Sequence, residues 1–366
     1  MPKKPKPTIP VPAAPNGLNE FSVDQVIPNV HTEQFLRQRI RQVMAQNSEL
    51  HAQLGAREEF AREITAALVA PPEFPKFRYT PSHGKSEAIA VLELGDWHIG
   101  EMTRPAETEG WGSYSWAVAQ SRMFHIVNEF LKWAELQRAA YRIESACIIG
   151  LGDWISGDIH DELRTTNEFP IPEQTANAGF LLGEVIRILT GHFRTVQVEL
   201  AGADNHGRLT RKPQAKAKAR NSMTWLVNKL AEAYTRSCRN MRLHASIGIK
   251  HVATIGRFRF LIEHGDGVRG WMGIPFYGFE RMLGREALRR MNTDKGFHFW
   301  SLGHWHVPTK VLGRVLVNGS LSGTNEYDHS FGRISEPCQV GYLVGQHGIF
   351  NWTEFGEGNK LGVIPG

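Results

Sequence analysis

Five short apolar runs, each closed by a glycine or a polar turn, punctuate the chain between residues 88 and 302. They read "AIAVLEL" (88–94), "ACIIGL" (146–151), "VQVELA" (196–201), "FRFLIE" (258–263) and "FHFWSL" (297–302). Runs of this length, rich in β-branched and aromatic residues, predict strands buried within a sheet. Amphipathic segments near 116–137, 176–190, 221–236 and 278–291 fall between them and predict helices. The alternation of strand and helix predicts an α/β domain over residues 86–366.

The pattern before residue 86 is different. Residues 1–30 are rich in proline and lysine and carry little that could form a core, which predicts a disordered leader. Over 31–70 the pattern is helical, with Leu36, Ile40, Val43, Asn47, Leu50 and Leu54 in a 4-3-4-3-4 spacing. That spacing is a coiled-coil seam with one polar core position. It suits a helix packed on its own domain or a homodimer through residues 32–54. Pro71, Pro72 and Pro75 then stop the helix and open a stiff linker over 71–85.

Composition narrows the class. The chain has 366 residues, 41% hydrophobic and 22% charged, enough for a large folded domain with an appendage. No apolar run reaches membrane-spanning length and the N-terminus lacks a secretory apolar core, so the expectation is a cytoplasmic protein with no membrane partner. Cys147, Cys238 and Cys338 are far apart and form no CxxC pair, which argues against a disulfide framework or a thiolate zinc site. The net charge of +5 is compatible with a polyanionic partner without requiring one.

Chemistry follows each strand. After the five runs come Asp96 and His98, then Asp153, then Asn205 and His206, then His264, then His304 and His306. In an open α/β sheet the loops at the carboxyl ends of strands gather along one edge, so residues distant in sequence can converge. Carboxylates, an amide oxygen and imidazoles together suit manganese, iron, zinc or similar divalent ions. Each loop alone is better explained by a turn or a solvated histidine; five in series favour a metal site. In "GHWH" the glycine is expected to provide a short bend.

The motifs "GDWHIG", "GDWISG", "ADNHGR", "EHGD" and "GHWH", in that order, resemble those of the calcineurin-like metallophosphoesterase superfamily. The resemblance implies a four-layer α/β/β/α double β-sandwich, here with an N-terminal helical extension, and two divalent metal ions, Mn²⁺ foremost, with Fe, Zn or Mg as alternatives. It implies that Asp96, His98 and His306 hold one metal and Asn205, His264 and His304 the other, with Asp153 bridging. His206 would be the catalytic, non-ligand histidine that assists the leaving oxygen. Two cations about 3.5–4 Å apart clamp an in-line displacement at phosphorus. Two departures stand out: Ser156 where many phosphatases of the superfamily have an acid, and Ala203-Asp204 before the Asn-His pair. They weaken assignment to the protein-phosphatase branch and leave the orientation of His206 open.

Beyond His206 the run "GRLTRKPQAKAKARN" places Arg208, Arg211, Lys212, Lys216, Lys218 and Arg220 beside the catalytic loop. Such a run is a solvated face or a grip on a nucleic-acid backbone. Arg269 and Trp271 are further candidates for substrate contact, whereas Trp97 and Trp305 are expected to pack. "SGDIHDELRTTNE" reads as a polar loop lining the cleft or a third metal site, and Asn318 and Ser320 could face phosphate. The combination is also similar to phosphoesterases of phage and prophage genomes and, more distantly, to SbcD-type DNA-repair nucleases. It implies a phosphodiesterase acting on nucleic acid, DNA first, in a bacterial or phage-infected cytoplasm. The alternatives are a phosphomonoesterase or cyclic-nucleotide phosphodiesterase, and a non-catalytic assembly protein that keeps the fold.

Overall fold

The protein is described by a computed structural model over residues 37–48, 51, 86–270 and 275–356. Contacts divide the chain into two units, Met1–Glu59 and Phe60–Gly366. Of the first unit, residues 37–48 form helix α1, whose seam positions Ile40 and Val43 are 57% and 43% exposed. The expected leader over 1–30, the linker over 71–85, the seam positions Leu36, Leu50 and Leu54, and Trp271 lie outside the described residues.

In the second unit the five apolar runs form β1 (Ser86–Leu94), β2 (Tyr141–Gly150), β3 (Thr195–Leu200), β6 (Phe258–Ile262) and β7 (Phe299–Leu302). The amphipathic segments form α2 (Trp116–Gln137), α4 (Ile171–His192), α5 (Met223–Tyr234) and α6 (Phe276–Arg290). A short α3 (Leu163–Thr166) and α7 (Glu326–Ser330) are added. So are β4 (Met241–Ala245), β5 (His251–Ile255), β8 (Thr309–Val311), β9 (Val315–Val317), β10 (Cys338–Gly345) and β11 (Gly348–Gly356).

Among the described residues the strands form two sheets, ordered β11-β10-β1-β2-β3-β4 and β5-β6-β7-β9-β8. β1, β2, β3 and β4 run parallel, joined by crossovers carrying α2, α4 and α5, and β10 closes on β1 antiparallel. In the second sheet β6, β7 and β9 are parallel. Parallel strands need such long crossovers, and all their carboxyl ends therefore face one rim.

Side-chain alternation along β1 sets the layers. Ala90, Leu92 and Leu94 turn to a core shared with α2, α4 and α5, whereas Val91 turns to a core between the sheets with Phe260, Ile262 and Tyr342. A third core, with Leu261, Trp300 and Phe279, lies under α6. The result is the four-layer α/β/β/α sandwich. Fully buried side chains such as Phe130, Phe193 and Phe260 each contribute about 1.5–3 kcal/mol by leaving water.

One acid interrupts the inter-sheet core. Glu93 of β1 is fully buried and accepts hydrogen bonds from Ser301 on β7 (2.6 Å) and Tyr342 on β10 (2.8 Å). Burial pushes its carboxyl up to about 7, the two hydroxyl donors only partly opposing that.

Candidate metal centre

The loops after β1, β2, β3, β6 and β7 bring their polar side chains together at the shared rim. Asp96, His98 and His306 form one group, and Asp153, His264 and His304 a second; a third, of His98, Asp153 and His206, overlaps both. Within each group the candidate donor atoms lie within 4.8 Å of one another. Asn205 joins the second group, its Oδ1 standing 2.8 Å from His264 Nε2, which is also 3.0 Å from Asp153 Oδ2. Asp153 thus belongs to the second group and, through the third, stands beside His98 of the first.

Backbone conformation distinguishes these positions. Asp96 (φ 53°), His98 (φ 47°), Asp153 (φ 48°), His304 (φ 71°) and His306 (φ 60°) all occupy the left-handed region. Non-glycine residues there cost free energy and persist where the surroundings over-determine them, commonly at functional sites. The surroundings here are hydrogen-bonded. Asp96 accepts the His304 amide at both oxygens (2.9 and 3.0 Å), and its carbonyl accepts Ser320 Oγ (3.1 Å). Gln339 receives the Gly95 amide (2.8 Å) and donates to the Gly95 and Gly319 carbonyls (3.1 and 3.0 Å).

The donor set fits divalent metal ions. His98 and His306 direct their Nε2 atoms at each other across 3.2 Å, a spacing that two ligands of one ion adopt. His98 Nδ1 is buried with no hydrogen-bond partner among the described residues. His264 Nδ1 is fixed by the Leu151 carbonyl at 2.9 Å, which leaves Nε2 to face the oxygens. His306 Nδ1 lies 3.6 Å from Asp328 Oδ2, the carboxylate behind the ring. Mixed oxygen and nitrogen donors of this kind suit manganese, iron or zinc.

Protonation follows from the same contacts. Burial pushes the Asp96 carboxyl up to about 6, although His264 and His306 oppose it. Burial also pushes Asp153 up, but the imidazoles of His264 and His206 outweigh it and hold the carboxyl well below its usual range. His264 is the counterpart: burial lowers it, yet Asp153 and Asp96 bring it to about 10. His306 is lowered by burial and raised to about 9 by Asp328 and Asp96. Burial takes His304 down to about 3 and holds His98 well below the ordinary histidine value.

The two sequence departures have structural roles. Asp204, fully buried, accepts the Asp153 amide (2.8 Å), the Gly207 amide (2.8 Å) and the Thr224 hydroxyl (2.5 Å), so it braces the bridging loop against the histidine loop. Ser156 contributes its carbonyl, which accepts His206 Nδ1 at 2.7 Å. A carbonyl only accepts, so Nδ1 carries the proton and Nε2 remains for the site. Gly303 of "GHWH" differs from expectation in its reason. Its need is space, not a bend: a Cβ there would stand 2.4 Å from Asp96 Oδ2.

The expected substrate contacts have other partners. Arg208 was expected at the substrate; its guanidinium donates to the carbonyls of Asn205 (2.8 Å), Thr210 (3.0 Å) and Arg211 (3.4 Å), tying down its own loop. Arg211 pairs with Asp161 at 2.9 Å on the surface, and Lys212 and Arg269 are exposed. Lys218 pairs with Asp266 at 2.5 Å. Asn318 and Ser320 are fully buried and brace the strand ends. Asp158 is held by Arg164, and no metal-capable group among the described residues includes Asp158, His160, Asp161 or Glu162. Trp97 and Trp154 are fully buried edge to face at 4.7 Å, and Trp305 packs on Phe279.

Sequence reasoning missed Asp204's bracing role, Asp328 and Gln339. Asp328 had a local signal: Asn325, which accepts the Asp328 amide, begins a short helix in "TNEYDHS". Gln339 had none, because its partners Gly95 and Gly319 are 244 and 20 positions away.

No family model matches the chain, and no curated protein matches it. Solved structures similar to it include Vps29 from Entamoeba histolytica complexed with Zn²⁺, at 13% identity over 73% of this chain and 99% of that one, with a TM-score of 0.29. A conserved uncharacterised protein from Streptococcus pneumoniae TIGR4, titled a predicted phosphoesterase, is 12% identical over 74% of this chain and 98% of its own, TM-score 0.28. Vacuolar protein sorting 29 from Cryptosporidium parvum is 14% identical over 74% and 100%, TM-score 0.28. The chain's own strand order and ligand loops carry the fold. No helix among the described residues is long and apolar enough to cross a membrane.

Proposed function

We propose that the protein is a metal-dependent phosphoesterase whose substrate is a nucleic-acid phosphodiester, DNA in the first instance. The observation that carries this reading is the convergence of Asp96, His98 and His306 into one donor group and of Asp153, His264 and His304 into a second, linked by a third in which Asp153 stands with His98 and His206. Divalent ions bound there would neutralise phosphate charge and activate water for attack on phosphorus.

The chain's own groups do the rest. His206 is anchored at both ends of the residue: its amide donates to Asp153 Oδ1 (3.0 Å) and its Nδ1 to Ser156. Its ring stands edge to face with His98 at 4.5 Å, beside the donors. Nε2 can give a proton to a leaving oxygen only when the ring is an imidazolium, with Ser156 holding the other proton in place. Arg208 keeps Asn205 in position. A shallow cleft lined by Asn205, Arg208, Lys216, Lys218 and Asp266 opens beside the donors. Lys216 there is exposed and would attract a phosphate backbone, whereas Lys218 is paired with Asp266.

A second reading, a phosphomonoesterase or cyclic-nucleotide phosphodiesterase, is favoured by one observation: Arg208, Arg211 and Lys218 are already engaged within the chain. An assay with Mn²⁺ on end-labelled single- and double-stranded DNA, beside bis-p-nitrophenyl phosphate, separates the readings. DNA cleavage that falls in His206→Ala supports the nuclease. Turnover of the small diester with intact DNA moves the substrate to a small phosphoester. An intact metal site with no turnover of any phosphoester would make this an assembly protein.

A further inference from the structure

A second cluster of metal-binding side chains lies apart from the strand-end loops. Glu199 is on β3, His244 faces it in register on β4, and His251 opens β5. β4 is the outer strand of the first sheet and β5 the outer strand of the second, so the three residues join the two sheets along their free edges. None of them belongs to the centre described above.

The geometry is that of a coordination site. Glu199 Oε2 lies 3.0 Å from His244 Nδ1 and 3.3 Å from His251 Nε2, and the three donors lie within 4.8 Å of one another. An ion held tetrahedrally at about 2.0–2.1 Å sets such donors roughly 3.3 Å apart. The other carboxylate oxygen is occupied: Gln197 Nε2 donates to Glu199 Oε1 at 2.8 Å and also to the Thr254 carbonyl of β5 at 3.0 Å. Oε2 is thereby turned to the imidazoles, as outer-shell partners orient metal ligands.

His251 supplies the independent signal. Its side chain is 10% exposed, its Nδ1 has no hydrogen-bond partner among the described residues, and its Nε2 meets only the Glu199 carboxylate, at 3.3 Å. A buried imidazole with so little hydrogen bonding is costly. An ion on Nε2 would use its lone pair. His244, 50% exposed, leaves the fourth position open to water.

We infer that Glu199, His244 and His251 form a separate site for a single zinc-class divalent ion, which clips the free edge of one sheet to that of the other. Two imidazoles and one carboxylate are a zinc-type donor set. The ion closes the open side of the sandwich, where the chain crosses between sheets over residues 246–250.

The full chain, stripped with a chelator and reloaded with Zn²⁺ alone, is desalted and its zinc counted per chain. Wild type is expected to hold one ion more than His244→Ala and one more than His251→Gln, and to gain more in Tm on zinc addition than either. His244 is half exposed, so its truncation keeps the fold, verified by far-UV circular dichroism. Equal zinc counts in wild type and His244→Ala overturn the site. The same pair compared in an Asp153→Asn background keeps the result independent of the strand-end centre. A one-ion difference that persists supports a separate site, and one that vanishes overturns it.

Discussion

His206 donates its Nδ1 proton to the Ser156 carbonyl across 2.7 Å, and this bond aims a ring whose orientation the motif alone left open. The bond comes from a backbone atom, so no side chain at position 156 is needed for it. Replacing His206 by alanine is expected to lower kcat on bis-p-nitrophenyl phosphate by about 10²–10⁴-fold. Metal content, counted on the same preparation, should not change. Loss of an ion together with activity would make His206 a ligand instead.

Metal uptake should release protons. In the metal-free chain His264, raised to about 10, and His306, raised to about 9, hold protons at pH 8 that an ion must displace. Titration calorimetry in buffers of different ionisation enthalpy should report this release at pH 8, with affinity falling as pH falls. The stability sign is opposite. Both folded values exceed the ordinary 6.5, so these protons stabilise the metal-free fold fully below that pH and the benefit is lost as pH rises through 9 to 10. The Tm of the stripped protein should drop across that window.

Gly303→Ala tests the close approach at Asp96. The added Cβ would stand 2.4 Å from Asp96 Oδ2, a backbone-attached atom against a ligand carboxylate. Such overpacking typically costs about 1–3 kcal/mol. The expected outcome is a folded protein that binds the ion of Asp96, His98 and His306 at least tenfold more weakly, read by metal titration.

Glu93 should make stability fall toward alkaline pH. Its folded carboxyl at about 7 lies above the ordinary 4.5, so the folded state binds the proton more tightly and stability declines as pH rises between those values. The cost at pH 8 is on the order of 3 kcal/mol. Denaturant melts should find Glu93→Gln more stable than wild type at pH 8 and nearly level with it at pH 5. An equal advantage at both values would contradict the raised carboxyl.

The strands that carry ligands were legible because each is an apolar run stopped by polar chemistry. β4, β8 and β9 were not: "MRLHA", "TKV" and "VLV" are too short to show a period. β10, "CQVGYLVG", is broken by Gly341 and Gly345. α4 begins before the expected 176, with Pro170 at the N-cap position and Pro172 in its first turn, where a missing amide costs nothing. At the centre, every side chain in the two donor groups was marked by its motif. The groups that brace them, Asp204, Asp328 and Gln339, act through contacts that a linear pattern does not encode. Glu199, His244 and His251 are spread over three strands with no motif; a glutamate within the apolar run "VQVELA" was the available signal.

The span of the donors also sets when the centre can exist. Asp96 leaves the ribosome near the start of the domain, and His304 and His306 leave it only after β7, on the other sheet. A growing chain therefore holds carboxylates long before it holds the histidines that complete them. Ions that depend on His304 and His306 would therefore be captured late in biosynthesis, once the two sheets have met.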